Sequence, residues 1–253
     1  MDSAAFEKTI WSYSRLTAFE DCSYRFYIRY ILGIKENVRQ FYSGFGLLMH
    51  GLLADFYSGR LEREQLVPQF LLRYRQDVPP APSDAVFDSY FHQGMEYLKR
   101  ADLKREKELG VEKHVHFQVG SYPFQGYIDR LCEINGALHI VDHKSHKLKP
   151  YSGKLNKTSA DRELDRYLRQ LYLYAIPVKK LCGRYPDYLT FNCFRSGRIV
   201  SVPFDPCQLA QVEDWAVDTI EYIKRCDAWP PSLDYFKCNF ICGFNDACEY
   251  FEL

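Results

Sequence analysis

The segment "GYIDRLCEINGALHIVDHKSHK", residues 126–147, constrains the fold more than any other stretch of the chain. An Asn-Gly pair between two alternating runs favours a type I′ hairpin turn, in which the residues that flank the turn pair directly. Counting back from the turn then places Asp129 opposite Asp142, with their Cβ atoms about 5 Å apart. Lys144 points to the same side as Asp142 because side chains on a strand alternate with a period of two. The sequence therefore predicts that these two carboxylates and this ammonium group meet.

Two carboxylates directly opposite each other destabilise a strand pair unless a positive charge lies between them. A divalent cation satisfies this requirement, because Mg²⁺ and Mn²⁺ prefer oxygen ligands and can activate a water for attack on a phosphate ester. The alternative is a solvated hairpin with its charges on an outer face, since a slip of one residue in the register would reverse the face. The hairpin thus indicates either a metal-dependent hydrolytic site or a charged surface.

The residues before the hairpin predict helices. The segment "SYSRLTAFEDCSYRFYIRYILG" has apolar residues at helical spacing, with Cys22 on the apolar face, and a second helix covers "GFGLLMHGLLADFYSG". The inward stripe of this second helix contains Leu47, His50, Ala54 and Tyr57. Residues 61–109 are predicted to be helical with a break at "VPPAPSD".

From about residue 111 the pattern changes to strands, "KHVHFQV", "FQGYIDRLCEI" and "ALHIVDHKS". A helix over "DRELDRYLRQLYLYAI" follows, which Pro177 is expected to end or kink. Two short strands and a helix over about 207–227 complete the order. This order predicts an α/β fold with one core domain over residues 1–253. Its parts are a mainly helical region (1–110), a sheet-containing core (111–206), and a C-terminal helix with a cysteine-rich segment (207–253).

Composition limits the classes of function. The formal net charge of the 253 residues is zero, so a nucleic-acid partner would have to be held by a local basic patch. No apolar run approaches the roughly 18 residues of a membrane span, and "MDSAAFEKTIWSYSR" lacks the features of a signal peptide. We therefore expect a cytoplasmic protein without a membrane partner.

The nine cysteines are an odd number, which argues against a disulfide framework. Cys238, Cys242 and Cys248 lie within eleven residues, and Cys22 lies far from them near the other end of the chain. Four thiolates suit either a tetrahedral zinc ion or an iron–sulfur cluster, and spacing alone does not choose between them. The other five are expected to act as small hydrophobic residues: Cys132, Cys182, Cys193, Cys207 and Cys226.

Five segments occur in an order that resembles a known family. They are "SYSRLTAFEDCSYRFYIRY", "FGLLMHGLLADFY", "GYIDRL" followed by "IVDHKSHK", "QLYLY", and "KCNFICGFNDAC". The order is similar to that of the PD-(D/E)XK nucleases, and within them to the RecB-like exonucleases, which include the AddB nuclease domain and the CRISPR-associated RecB-like exonucleases. The resemblance implies a restriction-endonuclease-like core, a small mixed sheet flanked by helices.

The resemblance also implies roles for individual residues. His50, Asp129 and Asp142 would bind Mg²⁺ or Mn²⁺ together with the backbone carbonyl of His143, and Lys144 would orient or help deprotonate the attacking water. Two further residues on one helix face, Gln170 and Tyr174, would flank the active site; the alternative is a core tyrosine and a surface glutamine. Glu112 is either an additional acidic residue of the site or an ordinary surface glutamate.

For the cysteines, the resemblance implies a [4Fe–4S] cluster that is bound by Cys22, Cys238, Cys242 and Cys248 and joins the two ends of the chain. The last three are spaced C-x3-C-x5-C here, whereas the group commonly has C-x2-C-x5-C. Structural Zn²⁺ is the alternative.

The loop "HKSHKLKPYSGKLNKT", residues 143–158, contains no acidic residue. A basic loop after the catalytic strand can bind backbone phosphates without reading sequence. The candidate DNA-binding residues in this loop are Lys147, Lys149, Lys154 and Lys157.

The leading hypothesis is a metal-dependent DNA exonuclease that prefers single strands or ends and acts in recombination, repair, phage DNA processing or CRISPR adaptation. A helicase or another recombination or CRISPR protein is the expected partner, because the chain has no P-loop of its own. Two alternatives are a structure-specific endonuclease of the same fold and a non-catalytic, metal-stapled subunit that binds nucleic acid.

Overall fold

One mixed five-stranded sheet organises the protein, whose computed structural model describes residues 6, 8–36 and 40–251. The strands lie side by side in chain order, and the pair β3–β4 is parallel while the other neighbouring pairs are antiparallel. The strands are β1 (Lys107–Val119), β2 (Tyr122–Ile134), β3 (Ala137–Lys144), β4 (Tyr188–Cys193) and β5 (Arg198–Pro203). Mixed α/β architecture of the predicted restriction-endonuclease-like kind is therefore confirmed.

Eight α-helices occur in the described part of the chain. They are α1 (Tyr13–Asp21), α2 (Ser23–Phe26), α3 (Phe41–Tyr57), α4 (Leu66–Asp77), α5 (Asp84–Arg100), α6 (Ser159–Cys182), α7 (Pro206–Arg225) and α8 (Tyr235–Phe240). None of the helices in the described ranges is long and apolar enough to span a membrane.

The register of the β2–β3 hairpin is the one that the Asn-Gly turn predicts. Asn135 and Gly136 both have positive φ, 51° and 83°, as a type I′ turn requires. The paired positions run from Ile134 opposite Ala137 to Arg130 opposite Val141. The next step along both strands reaches the two aspartates, where the regular β2–β3 pairing ends.

Helices pack on both faces of the sheet and divide the core in two. One apolar cluster joins α1, α2, α6 and α7 to residues such as Leu131, Ile140 and Phe191 on the sheet. A second cluster joins α3, α4 and α5 and includes Phe194, which directly follows β4. The sheet therefore lies between two helical layers, and both layers reach the C-terminal end of β3.

The first predicted helix is interrupted. Cys22 has an extended backbone, with φ −164° and ψ 107°, and divides α1 from α2. Its Sγ atom accepts a hydrogen bond from the backbone N–H of Arg25 at 3.4 Å, as an N-cap residue does. The prediction of one continuous helix with Cys22 on its apolar face is therefore wrong, because Cys22 lies at a break between two helices.

Three other expectations differ in detail. The helix α6 runs through Pro177 to Cys182 and is capped by Gly183, which has φ 74°, so Pro177 does not end it. Leu47 is 55% exposed and does not belong to the inward face of α3, whereas Ala54 and Tyr57 of the predicted stripe are buried beside the phenylalanines and leucines of this helix. The strand β1 begins at Lys107, a few residues before the predicted boundary.

Candidate active site

Asp129 lies at the centre of the site, buried on β2 where the regular β2–β3 pairing ends. Its Oδ2 atom accepts a hydrogen bond from the backbone N–H of His143 at 2.7 Å. Burial raises the pKa of Asp129 well above its usual range, and the neighbouring charge of Asp142 raises it further, while the bond from His143 opposes both effects. The two carboxylates lie close enough for the charge of Asp142 to raise the pKa of Asp129.

The amine of Lys144 links β3 to α6. Its Nζ atom lies 2.8 Å from Oδ2 of Asp142 and donates a hydrogen bond to Oε1 of Gln170 at 3.0 Å. The Nε2 atom of Gln170 donates in turn to the hydroxyl of Tyr174 at 3.3 Å. Burial raises the pKa of Tyr174 to about 12, so its hydroxyl stays protonated at neutral pH. The structure thus joins four of the predicted site residues through one ion pair and two hydrogen bonds.

His50 reaches the same place from α3. Its Nδ1 atom lies 3.3 Å from Oδ2 of Asp129, and 29% of its side chain is exposed. Burial lowers the pKa of His50 and is the main influence on it. The imidazole ring is therefore favoured in its neutral form, which has a lone pair available for a metal. A hydrogen bond with the backbone of His143 opposes this lowering of the His50 pKa.

Glu112 on β1 completes a cluster of possible metal ligands. One donor atom from each of His50, Glu112 and Asp129 lies within 4.8 Å of the others. Glu112 has φ 47°, a conformation that costs a non-glycine residue about 1–3 kcal/mol and often occurs at functional sites. Its pKa is raised by burial and by Asp142. Glu112 is thus an exposed glutamate whose carboxylate lies beside His50 and Asp129.

These donors suit a small divalent cation. Carboxylate oxygens at about 2.1 Å from Mg²⁺ place opposite ligands about 4 Å apart, which is compatible with the spacing of the cluster. A cation there would neutralise the repulsion that raises the pKa of Asp129. A divalent metal therefore fits this cluster, and Asp142 lies beside it in contact with Lys144.

The side chain of His143 belongs to a buried network that borders the site, because its ring lies edge-on to that of His50 with centroids 5.7 Å apart. Its Nδ1 atom lies 3.0 Å from Nδ2 of Asn192, which also donates to the hydroxyl of Tyr97 at 2.6 Å. The His143 ring stacks against Tyr57, with centroids 5.9 Å apart. Sequence reasoning missed Asn192, Tyr97 and Tyr57, because only the parallel pairing of β3 with β4 places His143 beside Asn192.

The basic loop that follows β3 is exposed at all four of the predicted lysines. Lys157 forms an ion pair with Asp165 at 2.7 Å. For Lys147, Lys149 and Lys154, no carboxylate partner occurs within the described residues. Three of the four ammonium groups are therefore available to a polyanion.

The four predicted cysteine ligands line one cavity. Cys22, Cys238, Cys242 and Cys248 surround a space of about 300 Å³ between α1–α2 and the C-terminal segment. The backbone of Ser232 connects two of them, because its N–H donates to the sulfur of Cys22 at 3.4 Å and its carbonyl oxygen accepts from the thiol of Cys238 at 3.5 Å. The neighbouring thiols also contribute to the raised pKa of Cys238 and of Cys242, for which burial is the main cause. Segments near the two ends of the chain therefore bring the four cysteines to one cavity.

Comparisons with known proteins agree with this geometry. The sequence model of the PD-(D/E)XK nuclease superfamily matches residues 10–249. No curated protein matches the chain. The structure resembles that of a candidate exonuclease from Eubacterium rectale, with a TM-score of 0.50 and 13% identity over 94% of this chain and 89% of that one. For the structure of SSO0001 the TM-score is 0.34 and the identity 18%, over 96% and 87% of the two chains.

The first of these likenesses supports the fold, and the family match carries the assignment because it includes the Asp129, Asp142 and Lys144 segment and the helix of Gln170. The chain belongs to the PD-(D/E)XK nuclease superfamily.

Proposed function

We propose that the protein is a metal-dependent DNA exonuclease of the RecB-like group that prefers single-stranded DNA or strand ends. The observation that carries this proposal is the connected set of Asp129, Asp142, Lys144 and Gln170, held by two strands and one helix. Such a set brings carboxylates and an ammonium group to one point, as phosphodiester hydrolysis requires.

In this proposal His50, Glu112 and Asp129 hold Mg²⁺ or Mn²⁺, assisted by Asp142 and the backbone carbonyl of His143. A divalent cation at this position would supply Lewis-acid stabilisation of the phosphate and a more acidic water. Lys144 orients the attacking water and stabilises negative charge on the phosphate. Gln170 holds the amine of Lys144 in place, and the hydroxyl of Tyr174 holds Gln170.

The loop lysines support a nucleic-acid substrate. Lys147, Lys149 and Lys154 follow β3 directly, are exposed, and can bind phosphates without reading sequence. Lys157 would have to leave Asp165 to do the same. A helicase or another recombination or CRISPR protein is the expected partner, and the expected location is the cytoplasm.

We further propose that the cavity of Cys22, Cys238, Cys242 and Cys248 binds a [4Fe–4S] cluster that joins the chain ends. Zinc holds four sulfur atoms at about 2.3 Å, which requires them to lie roughly 3.8 Å from one another. In the described part of the chain, the close set of possible metal ligands is that of His50, Glu112 and Asp129 and not the cysteines. The resemblance to the RecB-like group favours the cluster over Zn²⁺.

The experiment for the cluster is anaerobic purification of the wild type and of Cys242→Ser, followed by iron, sulfide and zinc analysis. We expect iron and sulfide in equal amounts and their loss in the variant. Zinc without sulfide would support the structural Zn²⁺ alternative. The absence of both iron and zinc would contradict the cluster and the zinc site alike.

The experiment for the enzyme is a time course of end-labelled single-stranded DNA with Mn²⁺ or Mg²⁺. It compares wild type, Lys144→Ala, and Lys99→Ala as a matched control on the exposed part of α5. We expect metal-dependent degradation by wild type and by the control, but not by Lys144→Ala. A covalently closed circular strand separates the exonuclease from an endonuclease, because only the endonuclease cleaves it. Binding without cleavage under both metals would support the non-catalytic subunit.

A further inference from the structure

The outer face of the β1–β2 ribbon carries an exposed row of aromatic and polar side chains. On β1 these are His114, His116 and Gln118, and on β2 their cross-strand neighbours are Tyr127, Gln125 and Pro123. The opposite face of the same ribbon is in the core, with Val115, Val119, Phe124 and Ile128 each at most 5% exposed. The alternation is therefore regular: His114, His116, Gln118 and Tyr127 are exposed to solvent, and Gln125 and Pro123 are half-buried.

Three rings in this row contact one another; we name His114, His116 and Tyr127 the aromatic stripe. His114 and Tyr127 are stacked, with ring centroids 4.4 Å apart and an angle of 13° between the planes. His116 meets His114 edge-on at a centroid distance of 4.4 Å. Tyr127 is 55% exposed, so much of its ring surface is open to a further planar group.

The stripe begins at the candidate active site. His114 follows Glu112 by two residues on β1, and Tyr127 precedes Asp129 by two residues on β2. Beyond Glu112, the exposed row contains no carboxylate. A polyanion whose phosphate lies in the site can therefore continue along the ribbon without meeting negative charge.

We propose that the aromatic stripe binds the unpaired bases of a single DNA strand whose phosphate is in the active site. This inference rests on the proposed nuclease function and names the surface that would give it a preference for single strands. Every base has an aromatic face, so stacking tolerates any sequence. Bases inside a duplex are already stacked on one another, so duplex DNA cannot use this surface.

The test measures binding and does not depend on cleavage. Fluorescence anisotropy with Ca²⁺ in place of Mn²⁺ would give the Kd of a labelled thymidine oligonucleotide and of a duplex of equal length. The variants are Tyr127→Ala, His114→Ala, His116→Ala and Tyr127→Phe. The matched control is Tyr188→Ala, because Tyr188 stacks on His139 across β3 and β4 at 4.9 Å and 21° and is 37% exposed.

For Tyr127→Ala and His114→Ala we expect the Kd for the single strand to rise about tenfold for each base that can no longer stack, and the Kd for the duplex to stay unchanged. Tyr127→Phe keeps the ring and should bind as wild type does. The proposal is overturned if wild type does not bind the single strand, if the alanine variants bind it normally, or if the duplex or the Tyr188→Ala control shows the same weakening.

The outcome for the proposed function is read separately, from cleavage of the same oligonucleotide by wild type with Mn²⁺. If wild type binds the single strand through the aromatic stripe but does not cleave it, the binding inference holds and the proposed nuclease function is wrong. If wild type cleaves the strand and the stripe variants bind it normally, the nuclease function holds and the binding inference is wrong.

Discussion

The Nζ atom of Lys144 donates a hydrogen bond to Oε1 of Gln170 at 3.0 Å while it lies 2.8 Å from a carboxylate oxygen of Asp142. The position of the amine is therefore set by two elements, the end of β3 and the middle of α6. Because Gln170 is itself bonded to Tyr174, a displacement of α6 would move the amine of Lys144 relative to the phosphate.

Removal of the Gln170 amide should slow cleavage without abolishing it. For Gln170→Ala we expect the rate constant to fall about 10- to 100-fold, because misplacement of a reacting group by about 1 Å has an effect of that order. The KM should change little, since Lys144 keeps its charge. Steady-state kinetics on single-stranded DNA would measure both parameters. Gln211→Ala, on the exposed face of α7, is the control, and a similar decrease there would contradict the assignment.

Much of the site follows from local sequence because the Asn-Gly turn fixes the register of its hairpin. The positive φ angles of Asn135 and Gly136 set the pairing, and the pairing brings Asp129 next to Asp142. Helical spacing likewise puts Gln170 and Tyr174 on one face. These predictions need no knowledge of how distant segments pack.

Other parts depend on tertiary contacts that spacing cannot reveal. Asn192 reaches His143 because β4 pairs in parallel with β3 after a long helical crossover. At the break, the sulfur of Cys22 accepts a hydrogen bond from the backbone N–H of Arg25 and so caps α2. The same sulfur accepts a hydrogen bond from the backbone N–H of Ser232, which lies more than two hundred residues later in the chain. The interaction that decides each conformation comes from a segment remote in sequence.

Gly126 is required by the position of Tyr174. A Cβ atom on Gly126 would lie 2.4 Å from Cε1 of Tyr174 and 2.7 Å from its hydroxyl oxygen, which is closer than atoms can approach. For Gly126→Ala we expect a decrease of about 1–3 kcal/mol in the free energy of unfolding, as in overpacked cores, and slower cleavage. Urea unfolding would measure the first effect.

The matched control is Gly46→Ala, inside α3, where no atom lies within 4 Å of the new Cβ. Because alanine favours a helix over glycine, this variant should be more stable by about 0.5–1 kcal/mol. Equal destabilisation of the two variants would argue against the contact with Tyr174.

Asp161 anchors the end of the basic loop to α6. Its carboxylate accepts hydrogen bonds at 2.7 Å from the backbone and hydroxyl groups of both Ser152 and Thr158. These bonds hold the pKa of Asp161 well below its usual value. Since the pKa is lower in the folded state, the stabilisation is present above the unfolded value of about 4 and is lost as the pH falls below it.

The free energy of unfolding of the wild type should therefore fall with decreasing pH in this acid range, and Asp161→Ala should reduce that dependence. Urea unfolding at a series of pH values would measure both slopes. Asp165→Ala is the control, because Asp165 contacts the same loop through Tyr151 and Lys157 but does not cap α6. An acid slope unchanged by Asp161→Ala would contradict the assignment.

Divalent metal should stabilise the protein more at high pH than at low pH. The pKa of Asp129 is raised in the fold, so without metal the protein loses stability as the pH rises through that pKa and the buried carboxyl ionises. A cation binds the ionised form, so Mn²⁺ must compete with a proton at low pH but not at high pH.

At a concentration of about 100 times its Kd, Mn²⁺ should contribute about 2.7 kcal/mol to the free energy of unfolding. Thermal unfolding from about pH 5 to about pH 8, with and without Mn²⁺, would show a difference in Tm that increases with pH. For Asp129→Asn we expect that difference to shrink to near zero throughout, and an undiminished response in this variant would place the metal elsewhere.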